Sequence, residues 1–379
     1  MRILLVGEYS GFHNALKHGL QKLGHTVTLV STGDGFKKYP ADINVDTQIF
    51  DRFWILQKFR NLVFRITKKD IRDYLLWLRF RESEHLLKNH DIVQFINSNA
   101  FNTHHKTERK VIDFLLRNNK SIVLAACGDD VPYAKYLNKR HEGYSILTPY
   151  KMGQIDKAGV SFTVKYLKLG YRSNYDAIME KAKAIIPSNT DYLMPLKNEA
   201  KVTEIIPAAI QTHKLKLKLN HDLSVIQIFM GINRHNYWKK GINYFEAALK
   251  IIEEKYVDLV NVTIAENLPY SDYVKSYDNA HILLDQVLCY DQGYNALEAM
   301  AQGKVVFAGA SDLYLKAHGL ERIPAVDSKP DINYLVDELS KLIENPELIL
   351  KIGKQAREHV LDYHNSIKVA AQYLEIYNQ

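Results

Sequence analysis

The chain has 379 residues, of which 46% are hydrophobic and 25% charged, with two cysteines and a formal net charge of +7. That length implies two or more domains, and the balance of apolar and charged residues excludes a disordered chain. Cys127 and Cys289 can form at most one bridge, which excludes a secreted disulfide scaffold and points to a reducing compartment. The charge is local: residues 52–81 hold nine basic against two acidic residues, a net +7, so the rest of the chain sums to neutral.

In chain order, the first element is the short apolar run Ile3, Leu4, Leu5, Val6, as expected of a parallel strand buried on both faces. The loop 7–11 (GEYSG) follows, then a helix with Leu16, Leu20 and Leu23 on one face and Gly24 at its C-cap, then a strand at 26–30. This β-α-β unit opens a doubly wound sheet. Further strands are expected at 91–97 (DIVQFIN), 121–126 (SIVLAA), 184–187 and 204–207, and the polar stretch 208–223 reads as a linker. A second series has strands at 224–230, 260–265, 281–285 and 305–308, with helices over 244–256 and 295–302. Helices near 348–360 and 366–377 close the chain. The expected layout is one α/β domain over 1–207, a linker over 208–223, a second α/β domain over 224–360, and a final helix over 361–379. Two such α/β units leave a cleft at their strand ends, where ligands bind in open sheets.

Several chemistries are missing. There is no Gly-x-Gly-x-x-Gly after a strand, no Gly-Lys-Ser/Thr phosphate loop, no Cys-x-x-Cys, no His-Glu-x-x-His and no Asp-x-Asp. The order around Ser10 is one residue off a nucleophile elbow. No metal or other cofactor is expected. His104 and His105 read as solvated loop residues.

The most informative segment is 285–308 (DQVLCYDQGYNALEAMAQGKVVFA). A loop with Gly293 feeds a helix beginning Asn295, Ala296, Leu297, Glu298; such a helix start binds anions through its backbone N–H groups and dipole. Glu298 can accept from the vicinal hydroxyls of a sugar, or it can close a capping box with Asn295; spacing does not separate the two. The second segment, 229–245 (FMGINRHNYWKKGINYF), supplies Arg234 and Lys240 after a strand, two cations that can clamp a diphosphate or stand as a solvated loop pair.

These segments resemble the donor half of the bacterial family 4 glycosyltransferases (glycosyl transferases group 1), and the resemblance implies the GT-B fold: two Rossmann-like α/β domains facing each other across a cleft, the first binding the acceptor, the second the nucleotide-sugar donor, with the final helix over 361–379 crossing back to the first. The match is clear over about 180–379. It rests on the run Gly293, Tyr294, Asn295, Ala296, Leu297, Glu298, Ala299, Met300, Ala301 with Gly303, Val305 and Val306. It implies that Glu298 binds the donor ribose and that Arg234 and Lys240 hold the pyrophosphate, with Gly293, Tyr294 and Asn295 beside it. The family's first glutamate is replaced by Tyr290, followed by Asp291, and the pair Asp285 and Gln286 stands as its replacement. A family His-Gly-x-Asp appears as Cys127, Gly128, Asp129, Asp130, so Asp130 with Asp129 is the expected catalytic pair, or else a helix cap. Gly11 and His13 are expected on the acceptor side of the cleft.

The implied activity is retaining, metal-independent transfer of a hexose from a UDP- or GDP-linked donor to a glycan or lipid-linked hydroxyl, as in cell-surface polysaccharide synthesis. The alternatives are a nucleotide-sugar 2-epimerase of the same architecture and a non-catalytic, membrane-associated assembly protein. Residues 52–81 interleave cations with Phe53, Trp54, Phe59, Phe64, Tyr74, Trp77 and Phe80. That pattern suits an anionic membrane surface or a solvated helix face, and no module for nucleic acid accompanies it. With no apolar run near the ~18 residues of a bilayer span, and no signal-peptide pattern in MRILLVGEYSG, a cytoplasmic, peripherally bound protein is expected.

Overall fold

The computed structural model describes residues 1–140 and 143–379. Six parallel strands form the first sheet: β1 (Arg2–Val6), β2 (Thr26–Ser31), β3 (Ile43–Asn44), β4 (Ile92–Phe95), β5 (Ser121–Ala126) and β6 (Ala182–Pro187), in the order β3-β2-β1-β4-β5-β6. Five parallel strands form the second: β7 (Ile226–Ile232), β8 (Val260–Glu266), β9 (Ile282–Leu284), β10 (Val305–Ala308) and β11 (Val326–Asp327), in the order β11-β10-β9-β7-β8. β1, β9 and β10 are wholly buried along nearly their full length because helices cover both faces, which is why they read as unbroken apolar runs. The chain switches direction across the sheet between β1 and β4, and between β7 and β9. Those switch points open the crevices in which α/β sheets bind ligands.

Two details differ from expectation. Residues 204–207 lie beside β6 but form no strand; Val202 makes an isolated bridge to Ile185, and Ile206 donates to the Pro187 carbonyl. Leu23 is exposed, so the buried face of the first helix (Phe12–Lys22) consists of Phe12, His13, Ala15, Leu16, Gly19 and Leu20.

The last helix, Ser366–Asn378, crosses back and packs its Val369, Ala370, Tyr373 and Tyr377 into the core of the first sheet. Gly19 permits this approach: a Cβ there would lie 1.9 Å from the Ser366 carbonyl oxygen. At the other end of the first domain, Gly7 turns the chain out of β1 with φ +88°, where a Cβ would strike Ile96 and Ala100.

Candidate functional site

At the end of β9, Asp285 is 1% exposed. Its Oδ1 accepts from the Lys240 ammonium at 2.7 Å and from the Asn295 amide at 2.9 Å, while its buried Oδ2 has no partner among the described residues. The Lys240 carbonyl accepts from the Val287 N–H at 2.7 Å, which holds the lysine loop against the turn after β9. Beside this cluster begins the helix Tyr294–Ala301, with Gly293 as N-cap and no side chain capping it. Its starting N–H groups and the positive end of its dipole are therefore turned to the same point as Lys240.

The capping box does not form. The helix starts one residue earlier than expected, so Asn295 is inside the first turn with its amide on Asp285, and Glu298 lies a turn further in. Glu298 is half-buried, close enough to Tyr273 and Tyr277 that its charge helps burial raise both phenols. Arg234 and Lys240 are not brought to one point. Arg234 sits in the short turn Arg234–Asn236 after β7, exposed, with its guanidinium forked onto Glu266 at the end of β8 and 5.1 Å from the Tyr237 ring centre.

Tyr290 does not line an open donor pocket. It is 6% exposed and stitches the two domains together. Its N–H donates to Asp191 at 2.9 Å, its hydroxyl donates to the Tyr144 carbonyl at 3.1 Å and accepts from Arg140, and its ring stacks on Tyr144. Asp291 beside it accepts from the Thr190 N–H, and Gln286 donates to the Asp291 carbonyl. Tyr294 also crosses, meeting Phe12 edge-on at 6.5 Å. The second domain therefore closes onto the first through the loop that carries Tyr290.

On the facing side, Asp130 is the cap of the helix Val131–Lys139, accepting from the Val131 N–H at 2.7 Å and from both the N–H and the hydroxyl of Ser98. Burial pushes its carboxyl up to about 6. Asp129 instead reaches over the cleft: its carboxylate accepts from Thr163 and from Lys239 of the second domain, the latter at 3.3 Å. Gly11 heads the first helix with φ +90°, its N–H bonded to Glu8. His13 does not face the cleft. It is fully buried, Nδ1–H donating to the Gly7 carbonyl at 2.7 Å and Nε2 accepting from Gln94, and burial lowers its pKa to about 4. The helical period places it on the core side of the same turn that carries Phe12.

Sequence reasoning missed Lys239, whose neighbour Lys240 carried the motif, and Glu8, which sits in the loop after β1. Glu8 is 2% exposed, holds the N–H groups of Gly11 and Asn14, and is raised by burial to about 7. It also missed Lys165, which donates to Asn102 at 2.6 Å among the rings of Phe162 and Tyr166 and is lowered by burial to about 8. Both cysteines are free and buried. His104 is the cap of the helix His105–Asn118, its ring packed on that of His105.

Residues 231–375 match the family described as Glycosyl transferase-like, a span that contains the whole Lys240, Asp285 and Glu298 arrangement. Among solved structures, the chain is similar to the sucrose-phosphate synthase of Thermosynechococcus elongatus, with a TM-score of 0.62 at 15% identity over 100% of this chain and 98% of that one. It is also similar to Anabaena HepE in complex with UDP and glucose, with a TM-score of 0.56 at 10% identity over 100% and 99%. A third likeness is to the UDP-GlcNAc 2-epimerase of Neisseria meningitidis bound to UDP-GlcNAc, with a TM-score of 0.50 at 12% identity over 99% of each chain. No curated protein matches by sequence. The likeness to these structures shows the GT-B fold, two Rossmann-like domains with the described cluster at their meeting point, and the family match covers residues 231–375.

Proposed function

We propose that this chain transfers a sugar from a nucleotide-sugar, UDP- or GDP-linked, to a hydroxyl of a glycan or lipid-linked acceptor, with retention and without a metal ion. The observation that carries the reading is Asp285, a buried carboxylate that holds Lys240 and Asn295 with one oxygen and keeps the other unpartnered beside an uncapped helix start. A diphosphate at that helix start meets the N–H groups and the Lys240 ammonium. The free Asp285 oxygen then accepts from a hydroxyl of the donor sugar, the contact that Tyr290 cannot make. Glu298 accepts from the ribose, and Arg234 joins the diphosphate by exchanging Glu266 for phosphate.

In the transfer, the bond from the anomeric carbon to the phosphate oxygen breaks and its electron pair stays on the diphosphate. The acceptor oxygen bonds to that carbon on the same face, and its proton passes to the departing phosphate oxygen. Lys240 and the helix start stabilise the charge that develops there. Asp129 and Asp130 border the acceptor, and the closed cleft excludes water.

The basic stretch supports docking on an anionic membrane. The helix Trp54–Thr67 contains no buried residue. Its Ile55, Phe59, Leu62 and Ile66, spaced along one face, are exposed by 69%, 49%, 55% and 73%. Arg60 and Arg72 are neutralised by Asp51 and Asp70, whereas Arg52, Lys58, Arg65, Lys68 and Lys69 make no ion pair among the described residues. An apolar stripe flanked by unpaired cations matches the acyl boundary beneath acidic headgroups. Among the described residues no helix is long and apolar enough to cross a membrane.

The test is incubation with UDP- and GDP-sugars in EDTA, with and without acceptor. Acceptor-dependent consumption of donor is expected, and Glu298→Ala should lower kcat/KM at least about ten-fold, or 1.4 kcal/mol, without lowering Tm. A free 2-epimer of the donor formed without acceptor would instead make this an epimerase. Failure of both UDP and GDP to bind would favour an assembly protein, and a strict manganese requirement would overturn the metal-free step.

A further inference from the structure

Outside the cleft, the first domain carries a groove of about 440 Å³ along the helix Val131–Lys139, floored by Pro132, Tyr175 and Pro195. The size is that of a small-ligand site. Its rim bears Lys135, Lys139 and Arg140 and, among the described residues, one acid, Glu199. Lys135 and Lys139 are exposed, one helical turn apart, and form no ion pair among the described residues. Like charges at that spacing destabilise a helix unless an anion lies between them. Tyr136 offers a ring face, with the Arg140 guanidinium 5.7 Å from its centre.

The floor supplies an independent observation. Tyr175 is 7% exposed and its buried hydroxyl has no hydrogen-bond partner among the described residues. Buried hydroxyls are ordinarily satisfied by protein, water or ligand. Tyr175 also borders a small void beneath the groove that reaches Gly128 and Asp130, so the groove abuts the turn at the end of β5 that borders the acceptor. Its far end is joined to the second domain through Arg140, which donates to Tyr290.

We infer that this groove binds an acidic saccharide, sugar units carrying carboxylate or phosphate, with the acid groups on Lys135 and Lys139 and the pyranose faces on the tyrosines. Flat apolar walls with a few convergent polar groups suit sugar rings, and the excess of cations selects a charged chain over a neutral one. As the path of an acceptor this rests on the transferase reading; as a binding site it does not.

The full chain is titrated calorimetrically with oligogalacturonate, a phosphorylated malto-oligosaccharide and the neutral malto-oligosaccharide of equal length, at low and moderate salt. At least one acidic oligosaccharide is expected to bind, at least ten-fold more tightly than the neutral one, with affinity falling as salt rises. The double variant K135E/K139E should lose that binding ten-fold or more while keeping the wild-type Tm and UDP affinity. Equal binding of the neutral chain, no binding of either acidic chain, or undiminished binding by the double variant overturns the assignment. Inorganic phosphate binding as tightly as the oligosaccharides overturns the saccharide part. Wild-type protein that binds the acidic chain but not UDP or GDP would sink the transferase reading and leave this one standing.

Discussion

Replacing Lys240 with alanine removes the cation from a carboxylate that has almost no access to water. Asp285 is 1% exposed and retains only the Asn295 amide on Oδ1, with Oδ2 already unpartnered. Truncating one partner of a buried ion pair costs about 3–5 kcal/mol. The Lys240 side chain keeps 28% of its exposure, so part of its charge is solvated and about 2–3 kcal/mol is the expected loss. In a folding unit of this size that is a fall in Tm of about 5–10 °C. The decisive comparison is Lys240→Ala combined with Asp285→Asn, which removes the orphaned charge. The double variant should recover stability to within about 1 kcal/mol of wild type while donor turnover stays lost, because the diphosphate has no ammonium to meet. Thermal unfolding and initial rates on the three proteins read the two effects separately. An unchanged Tm in Lys240→Ala would refute the claim that Asp285 depends on it, and full turnover in the double variant would refute the role of both in donor binding.

Glu8 gives a pH signature. Its folded pKa is raised by burial to about 7 from the ordinary 4.5, so the folded chain holds a proton that the unfolded chain has released. The associated stability is full below about pH 4 and is lost as pH rises through 7. Against Glu8→Gln, the wild type should therefore lose about 1–3 kcal/mol between pH 5 and 8 in denaturant titrations; parallel profiles would show that Glu8 is not buried as described. Gly19→Ala should drive the last helix off the first, at a cost of about 1–3 kcal/mol, with faster proteolytic cleavage near residue 365. Wild-type Tm and cleavage in that variant would contradict the 1.9 Å approach to Ser366. The pair Phe59→Asp and Leu62→Asp, both exposed, should abolish flotation with phosphatidylglycerol-containing vesicles and leave stability within about 0.5 kcal/mol. Flotation equal to wild type would remove the membrane from the account.

Residues near one another along the chain were read well where one physical cause dominates. The apolar runs of β1, β5 and β10 mark strands because both their faces are covered, while the polar stretch 208–223 between the two sheets holds a short turn at Thr212–Lys214 and an isolated bridge from Ile210 to Asn365. Residues 204–207 are as apolar as a strand but lack a complete partner, and pairing cannot be seen in a single segment. His13 illustrates the limit for sites. Its position in a cleft-side loop and helix start suggested exposure, but one turn of helix rotated it onto Gln94. Asn295 and Glu298 have the spacing of a capping box, yet Asp285, ten residues earlier, claims the asparagine.

The net +7 was locatable from sequence alone, because charge is a property of residue types and their order. Whether those cations were free, and whether the aromatics between them were core or surface, was decided only by packing. The helix Ile71–Glu82 buries Leu76 and Phe80, while the neighbouring Trp54–Thr67 buries nothing. Likewise the motif at 293–306 pointed to the helix start proposed as the donor site, because a helix start after a buried strand has its chemistry in the backbone. Which carboxylate serves it, Asp285 in the cleft or the loop locked into Tyr144 and Arg140 by Tyr290, depends on contacts between residues some 150 positions apart, and only the folded chain contains those.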